Sequence, residues 1–206
     1  FIILPGSKQT IKDQIFLENS GLSQEIREYS NSHGNIIGIC GGLQMLGTTL
    51  EDPYSKEGSD IYSERKTKGI GLLPLKTTFF EKKLTRQINS ESLWPCQSKI
   101  SGFEIHNGHT ELDNSHNSLK INPIFKDLNL GWYRENKGGG TVAGTYLHGI
   151  FENDIWRDQY INLIRKRKKL PALKKRTSSY KVKRESIIKN LANEFNKHLN
   201  LSSLLN

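Results

Sequence analysis

Cysteine is scarce in this chain of 206 residues: only Cys40 and Cys96 occur. Two thiols at that spacing form no disulfide framework and offer no CxxC metal-ligand pair, so a reducing cytoplasm is the expected setting. No apolar run approaches the roughly 20 residues that a membrane-crossing helix needs, and no signal-peptide pattern is expected. An initiator methionine is missing as well. The chain opens on Phe1 inside what reads as a strand, and the expectation is a piece of a longer polypeptide with upstream strands cut away. Acidic residues are the minority partner, 21 against 30 lysines and arginines, for a formal net charge of +9. Much of the excess lies in Arg165-Lys166-Arg167-Lys168-Lys169, Lys174-Lys175-Arg176, Lys181, Lys183 and Arg184. These runs carry no interleaved aromatics and no zinc-finger or RNA-binding signature. A solvated helix end and linker is therefore favoured over nucleic-acid binding, and a polycarboxylate or acidic partner is a third option. There is no internal repeat and no clear second domain.

What is present is a chemically pointed turn. Asn35-Ile36-Ile37-Gly38-Ile39 reads as a buried strand that ends on Cys40, and Gly41-Gly42 leads into a helical pattern to about Leu50. A free cysteine ending a core strand is more often a small buried apolar residue. Here the double glycine permits a sharp strand-to-helix turn, and the first N–H groups of the helix favour a thiolate there. Such a thiol is placed for nucleophilic catalysis. Upstream, Phe1-Ile2-Ile3-Leu4 is a second buried strand, ending at Pro5-Gly6-Ser7. Two helical segments, broken at Ser20-Gly21, connect it to the Cys40 strand. This βαβα order indicates an α/β fold with a parallel sheet and crossover helices. From Ile70 the chain becomes β-rich, with segments over 71–79, 100–106, 130–133 and 141–147 separated by turn formers. The tail reads as helices from Asn153 to about Lys169 and from Arg184 to about Leu199.

Thr145-Tyr146-Leu147-His148-Gly149 repeats the logic of the cysteine turn. Ligands of open α/β sheets bind beyond the carboxyl ends of strands, so Cys40 and His148 are expected to meet there. His148 would then serve as general base and acid. The backbone N–H of Gly41, with a second donor from the Gly6 turn, would hold a tetrahedral oxyanion.

Four segments in this order and spacing carry a resemblance. They are Leu4-Pro5-Gly6-Ser7-Lys8, Gly38 to Gly47, Gly102-Phe103-Glu104-Ile105-His106-Asn107-Gly108 and Gly144 to Phe151. Together they resemble the class I glutamine amidotransferase domain of the cobyric acid synthases, over essentially the whole chain. The resemblance implies a flavodoxin-like, mostly parallel sheet flanked by helices, with a β-rich second half and a helical tail. It implies one glutaminase domain over 1–206, truncated at its N-terminus, with an upstream ATP-dependent synthetase domain absent. Cys40 would attack the side-chain amide of glutamine, and the ammonia would amidate the b, d, e and g carboxylates of adenosylcobyrinic acid a,c-diamide. No metal or cofactor is expected in this domain; ATP and magnesium, like the corrinoid, belong with the synthetase domain. Many class I glutaminases carry a glutamate two residues after the histidine, but this chain has Ile150, so a Cys–His dyad is expected. Glu104 is a candidate to fix the imidazole tautomer or contact substrate, and Gln44 to help hold glutamine. His106 and His109 are cleft candidates without a catalytic assignment. The alternatives are the glutaminases of cobyrinic acid a,c-diamide synthase or lipid II isoglutaminyl synthase, or a non-enzymatic basic binding module.

Overall fold

The structure is a computed structural model that describes residues 1–56, 65–116, 119–174 and 179–198. The apolar opening forms β1 (Ile2–Leu4), and α1 (Thr10–Asn19) and α2 (Leu22–Asn31) follow, separated at Gly21 with φ +80°. That positive φ is one glycine accepts at little cost. The chain then enters β2 (Ile36–Ile39), with Ile36 and Ile37 fully buried, and α3 (Gly41–Leu46). A Cβ on Gly42 would lie 2.0 Å from the Leu4 carbonyl oxygen, so only glycine lets α3 sit this close to β1.

The helix after Cys40 is shorter than its sequence pattern predicts. Gly47 turns extended, Thr48 donates its N–H to Leu75 over 2.7 Å, and β3 (Thr49–Glu51) starts at once. β-branched threonines and a waiting strand partner outweigh helical periodicity here. Next come β4 (Lys66–Lys68), β5 (Leu75–Thr78), β6 (Leu84–Ser92), β7 (Ser98–His106), β8 (His109–Leu112) and β9 (Asn122–Pro123). The chain continues through β10 (Gly131–Glu135), β11 (Thr141–Thr145), β12 (Leu147–His148), α4 (Asp154–Arg167) and α5 (Tyr180–His198).

The α/β architecture expected from the sequence is present as mixed sheets flanked by helices. A five-stranded sheet runs β1-β2-β11-β10-β9. β1, β2 and β11 are parallel, with Leu4 opposite Gly38 and Thr145 opposite Ile39. β10 and β9 continue antiparallel. Among the described residues, parallel pairing is otherwise confined to β3 with β5, so the parallel character is concentrated where the site lies. A second sheet, β12-β7-β6, sets His148 against Phe103 and Leu147 against Glu104. The third has the order β4-β3-β5-β8. The core joins Leu43, Leu46, Val142 and Ala143 to an aromatic cluster in which Trp94 stacks on Tyr133 at 4.4 Å and Trp156 on Tyr160 at 5.1 Å.

The basic tail divides. Arg167 is structural: it donates to the Asn35 side chain over 2.7 Å and pins the end of α4 beside the start of β2. The tail helix forms from Tyr180, four residues before its predicted start, yet no side chain of α5 is buried. Its apolar stripe is open, Ile187 being 67% exposed and Leu191 57%. Lys175, Arg176 and Leu199 lie outside the described residues.

Candidate active site

Because β1, β2 and β11 are adjacent and parallel, their carboxyl ends open at one edge of the sheet. β1 delivers the turn at Gly6, β2 delivers Cys40, and β11 leads through Tyr146 to His148. Cys40 adopts φ +52° and ψ −110°. Such a backbone costs a non-glycine residue on the order of 1–3 kcal/mol and persists only when its surroundings enforce it. They do: the Cys40 N–H donates to the Thr145 carbonyl over 2.8 Å, and its own carbonyl accepts the Gln44 N–H at 3.1 Å. The turn after β1 packs against the cysteine. A Cβ on Gly6 would sit 3.7 Å from Cys40 Cβ and 3.9 Å from His148 Cε1, so Gly6 touches both. A Cβ on Gly41 would come within 2.8 Å of the Ser7 amide nitrogen, which brings that N–H beside the residue following the cysteine.

One main-chain oxygen joins the two expected catalytic residues. The Ile105 carbonyl lies 3.5 Å from Cys40 Sγ and 3.2 Å from His148 Nε2. A carbonyl oxygen only accepts, so Nε2 carries the proton in this arrangement and the lone pair of the neutral ring falls on Nδ1. Both residues line a cleft of about 620 Å³ together with Gly6, Gln44, Ile105 and Asn107.

The two accessory candidates both have protein partners. Gln44 does border the cleft, but its amide is spent on the protein. Nε2 donates to the Asn107 carbonyl over 3.0 Å and to the Tyr146 hydroxyl over 3.2 Å, while Oε1 accepts from Thr10 at 3.3 Å. It therefore ties α3 to the wall of the site. Glu104 lies behind the cleft, 3% exposed, with its carboxylate between Arg86 Nε at 2.5 Å and His106 Nε2 at 3.0 Å. Burial alone would raise its pKa, but the bonds from His106 and Arg86 prevail and hold it below the ordinary carboxylate range. The acceptor at His148 Nε2 is the Ile105 carbonyl. Sequence reading missed that group because a carbonyl has no side-chain signature. His106 lines the cleft, whereas His109 is exposed on β8 and pairs across to Thr78. The Tyr146 hydroxyl, buried between Thr110 and Gln44, is pushed up to about 12 by burial, so it stays neutral and serves as a hydrogen-bonding strut. Among the described residues no group of three or more His, Cys, Asp or Glu is arranged to hold a metal ion, and no helix is long and apolar enough to cross a membrane.

The sequence profile of the CobB/CobQ-like glutamine amidotransferase domain matches residues 1–156. The chain belongs to this family. Its curated relatives include a cobyric acid synthase of Prochlorococcus marinus strain MIT 9312, 84% identical over 206 residues, or 100% of this chain and 40% of that protein. A cobyric acid synthase of strain NATL2A is 48% identical over 204 residues, 99% of this chain and again 40% of the relative. The chain thus spans about 40% of the length of the curated relatives it matches. Among solved structures, a crystal structure of glutamine amidotransferase superposes with a TM-score of 0.50 at 16% identity, over 77% of this chain and 75% of that one. That likeness shows the glutamine amidotransferase fold. The CobB/CobQ-like profile ends inside α4, while the relatives match through the basic tail.

Proposed function

We propose that this chain is the glutaminase portion of a cobyric acid synthase, working with a Cys40–His148 dyad. The observation that carries the reading is the Ile105 carbonyl, reached by both the thiol and the imidazole at the carboxyl ends of parallel strands. Family membership supports glutamine as the substrate. In the proposed reaction His148 takes the thiol proton, and the Cys40 sulfur attacks the side-chain amide carbon. The N–H of Gly41, with a donor from the Gly6–Ser7 turn, holds the oxyanion. The protonated imidazole gives its proton to the departing nitrogen, ammonia leaves, and a γ-glutamyl thioester remains. Water then loses a proton to His148 and attacks the thioester; glutamate departs and the thiol is regenerated. The ammonia would serve an ATP- and magnesium-dependent synthetase portion of the same polypeptide, in the cytoplasm. That portion would amidate the b, d, e and g carboxylates of the corrinoid.

Cys40→Ser tests the nucleophile in the full-length protein. Glutamine-dependent amidation should fall at least about a thousandfold, while amidation from added ammonia persists. A variant that uses glutamine at the wild-type rate refutes the assignment.

A further inference from the structure

Charge of one sign surrounds the cleft at Cys40. Lys8 reaches it from the turn after β1 and Lys83 from the residue before β6. Both lysines are exposed, and among the described residues neither has a carboxylate partner. His106 also lines the cleft. Its Nδ1 faces the Gly108 carbonyl at 3.1 Å and its Nε2 faces Glu104 at 3.0 Å. The ring lies flat on Tyr146, centroids 3.6 Å apart and planes 17° from parallel. Glu104 does not line the cleft, and its carboxylate pairs with Arg86. Among the described residues that line the cleft, none is acidic. A concave site with cations and no carboxylate on its walls concentrates anions.

We infer that Lys8 and Lys83 bind the α-carboxylate of the substrate while its side-chain amide lies at Cys40. This inference rests on the glutaminase reading and extends it, because it names the group by which the site tells free glutamine from a glutamine whose carboxylate is blocked. The lysines come from two different elements, so the carboxylate would bridge β1's turn and the β6 hairpin across the mouth of the site. The ammonium groups offer rotatable donors on long stems, suited to a point-charge contact.

The test uses the full-length protein and two substrates, L-glutamine and L-glutaminamide, in which a neutral amide replaces the α-carboxylate. Lys8→Met and Lys83→Met should each raise KM for glutamine about tenfold, the loss of one partly solvated charge-assisted contact. Their kcat should stay within about twofold of wild type, the signature of lost uniform binding. Selectivity for glutamine over glutaminamide should fall by the same factor, and Lys83→Arg should restore it. Equal losses on both substrates, a fall in kcat at unchanged KM, or no change at all would overturn the assignment. Retained glutaminase activity in Cys40→Ser would instead overturn the reading beneath it, so the two failures are told apart.

Discussion

Replacing Glu104 with glutamine is the most direct probe of what holds the wall of the site. The wild-type carboxylate accepts from Arg86 and His106 at once, and Arg86 also pairs with Asp127 at 2.9 Å. An amide keeps the shape but has one acceptor oxygen for two donors, and it removes a buried counter-charge from Arg86. Breaking a fully buried pair costs about 3–5 kcal/mol. The Arg86 side chain is 45% exposed, however, and water recovers part of that loss. We expect Glu104→Gln to destabilise by about 2–3 kcal/mol at pH 7, a fall of roughly 5–10 °C in Tm for a domain of this size. The pH dependence fixes the sign. The folded state lowers the Glu104 pKa, so its contribution is fully present above the unfolded carboxylate value, about 4.3. It is lost as pH falls through the folded value. Urea titrations followed by the fluorescence of the buried Trp94, Trp132 and Trp156 should therefore show a gap at pH 7 that closes on acidification below about pH 4. Identical midpoints at pH 7, or a gap that widens in acid, would refute the argument.

Two other perturbations bear on the fold around the site. Ile150→Glu places a carboxylate where class I triads carry theirs, but Ile150 is 1% exposed in the core. Burying that charge should unfold the protein or cost several kcal/mol, and a folded variant with faster glutamine hydrolysis would contradict us. Deleting residues from Tyr180 onward should change stability by less than about 1 kcal/mol, since α5 buries no side chain and its Arg184–Glu152 pair is exposed. A large drop in the urea midpoint would show that α5 is part of the core.

Much of this was legible in the residues. Apolar strands ending on Cys40 and on His148 announced themselves by composition and by the glycines that follow. A parallel sheet over β1 and β2 followed from the βα order, whereas the parallel place of β11 beside β2 is seen only in the structure. What stayed hidden was structure without an apolar pattern. β6 is a long strand of mostly polar residues with Ile88 and Ser92 buried, and it forms because β7 offers a full ladder of partners. β4 is Lys66-Thr67-Lys68, which no periodicity would select. The partners of Glu104 and Gln44 were hidden for a related reason. Sequence shows that a polar side chain is near a motif but not which of several partners claims it, and in both cases protein groups outnumber the open side of the cleft.

The position of Ile150 and the Ile105 carbonyl belong to one arrangement. Gly149 takes φ +80° and turns the chain so that Ile150 points into the core, which removes the residue after next from the vicinity of the imidazole. The ring is then oriented by an antiparallel ladder: β12 lies on β7 with His148 opposite Phe103, and this register carries the Ile105 carbonyl to Nε2. A carbonyl fixes the tautomer without placing a full negative charge beside the ring. In the proposed mechanism, stabilising a thiolate would then fall to the N–H groups that follow Cys40 and to the lysines lining the cleft. On that account the orientation of His148 depends on strand register, since a slip of one residue between β7 and β12 would turn the Ile105 carbonyl away from the imidazole.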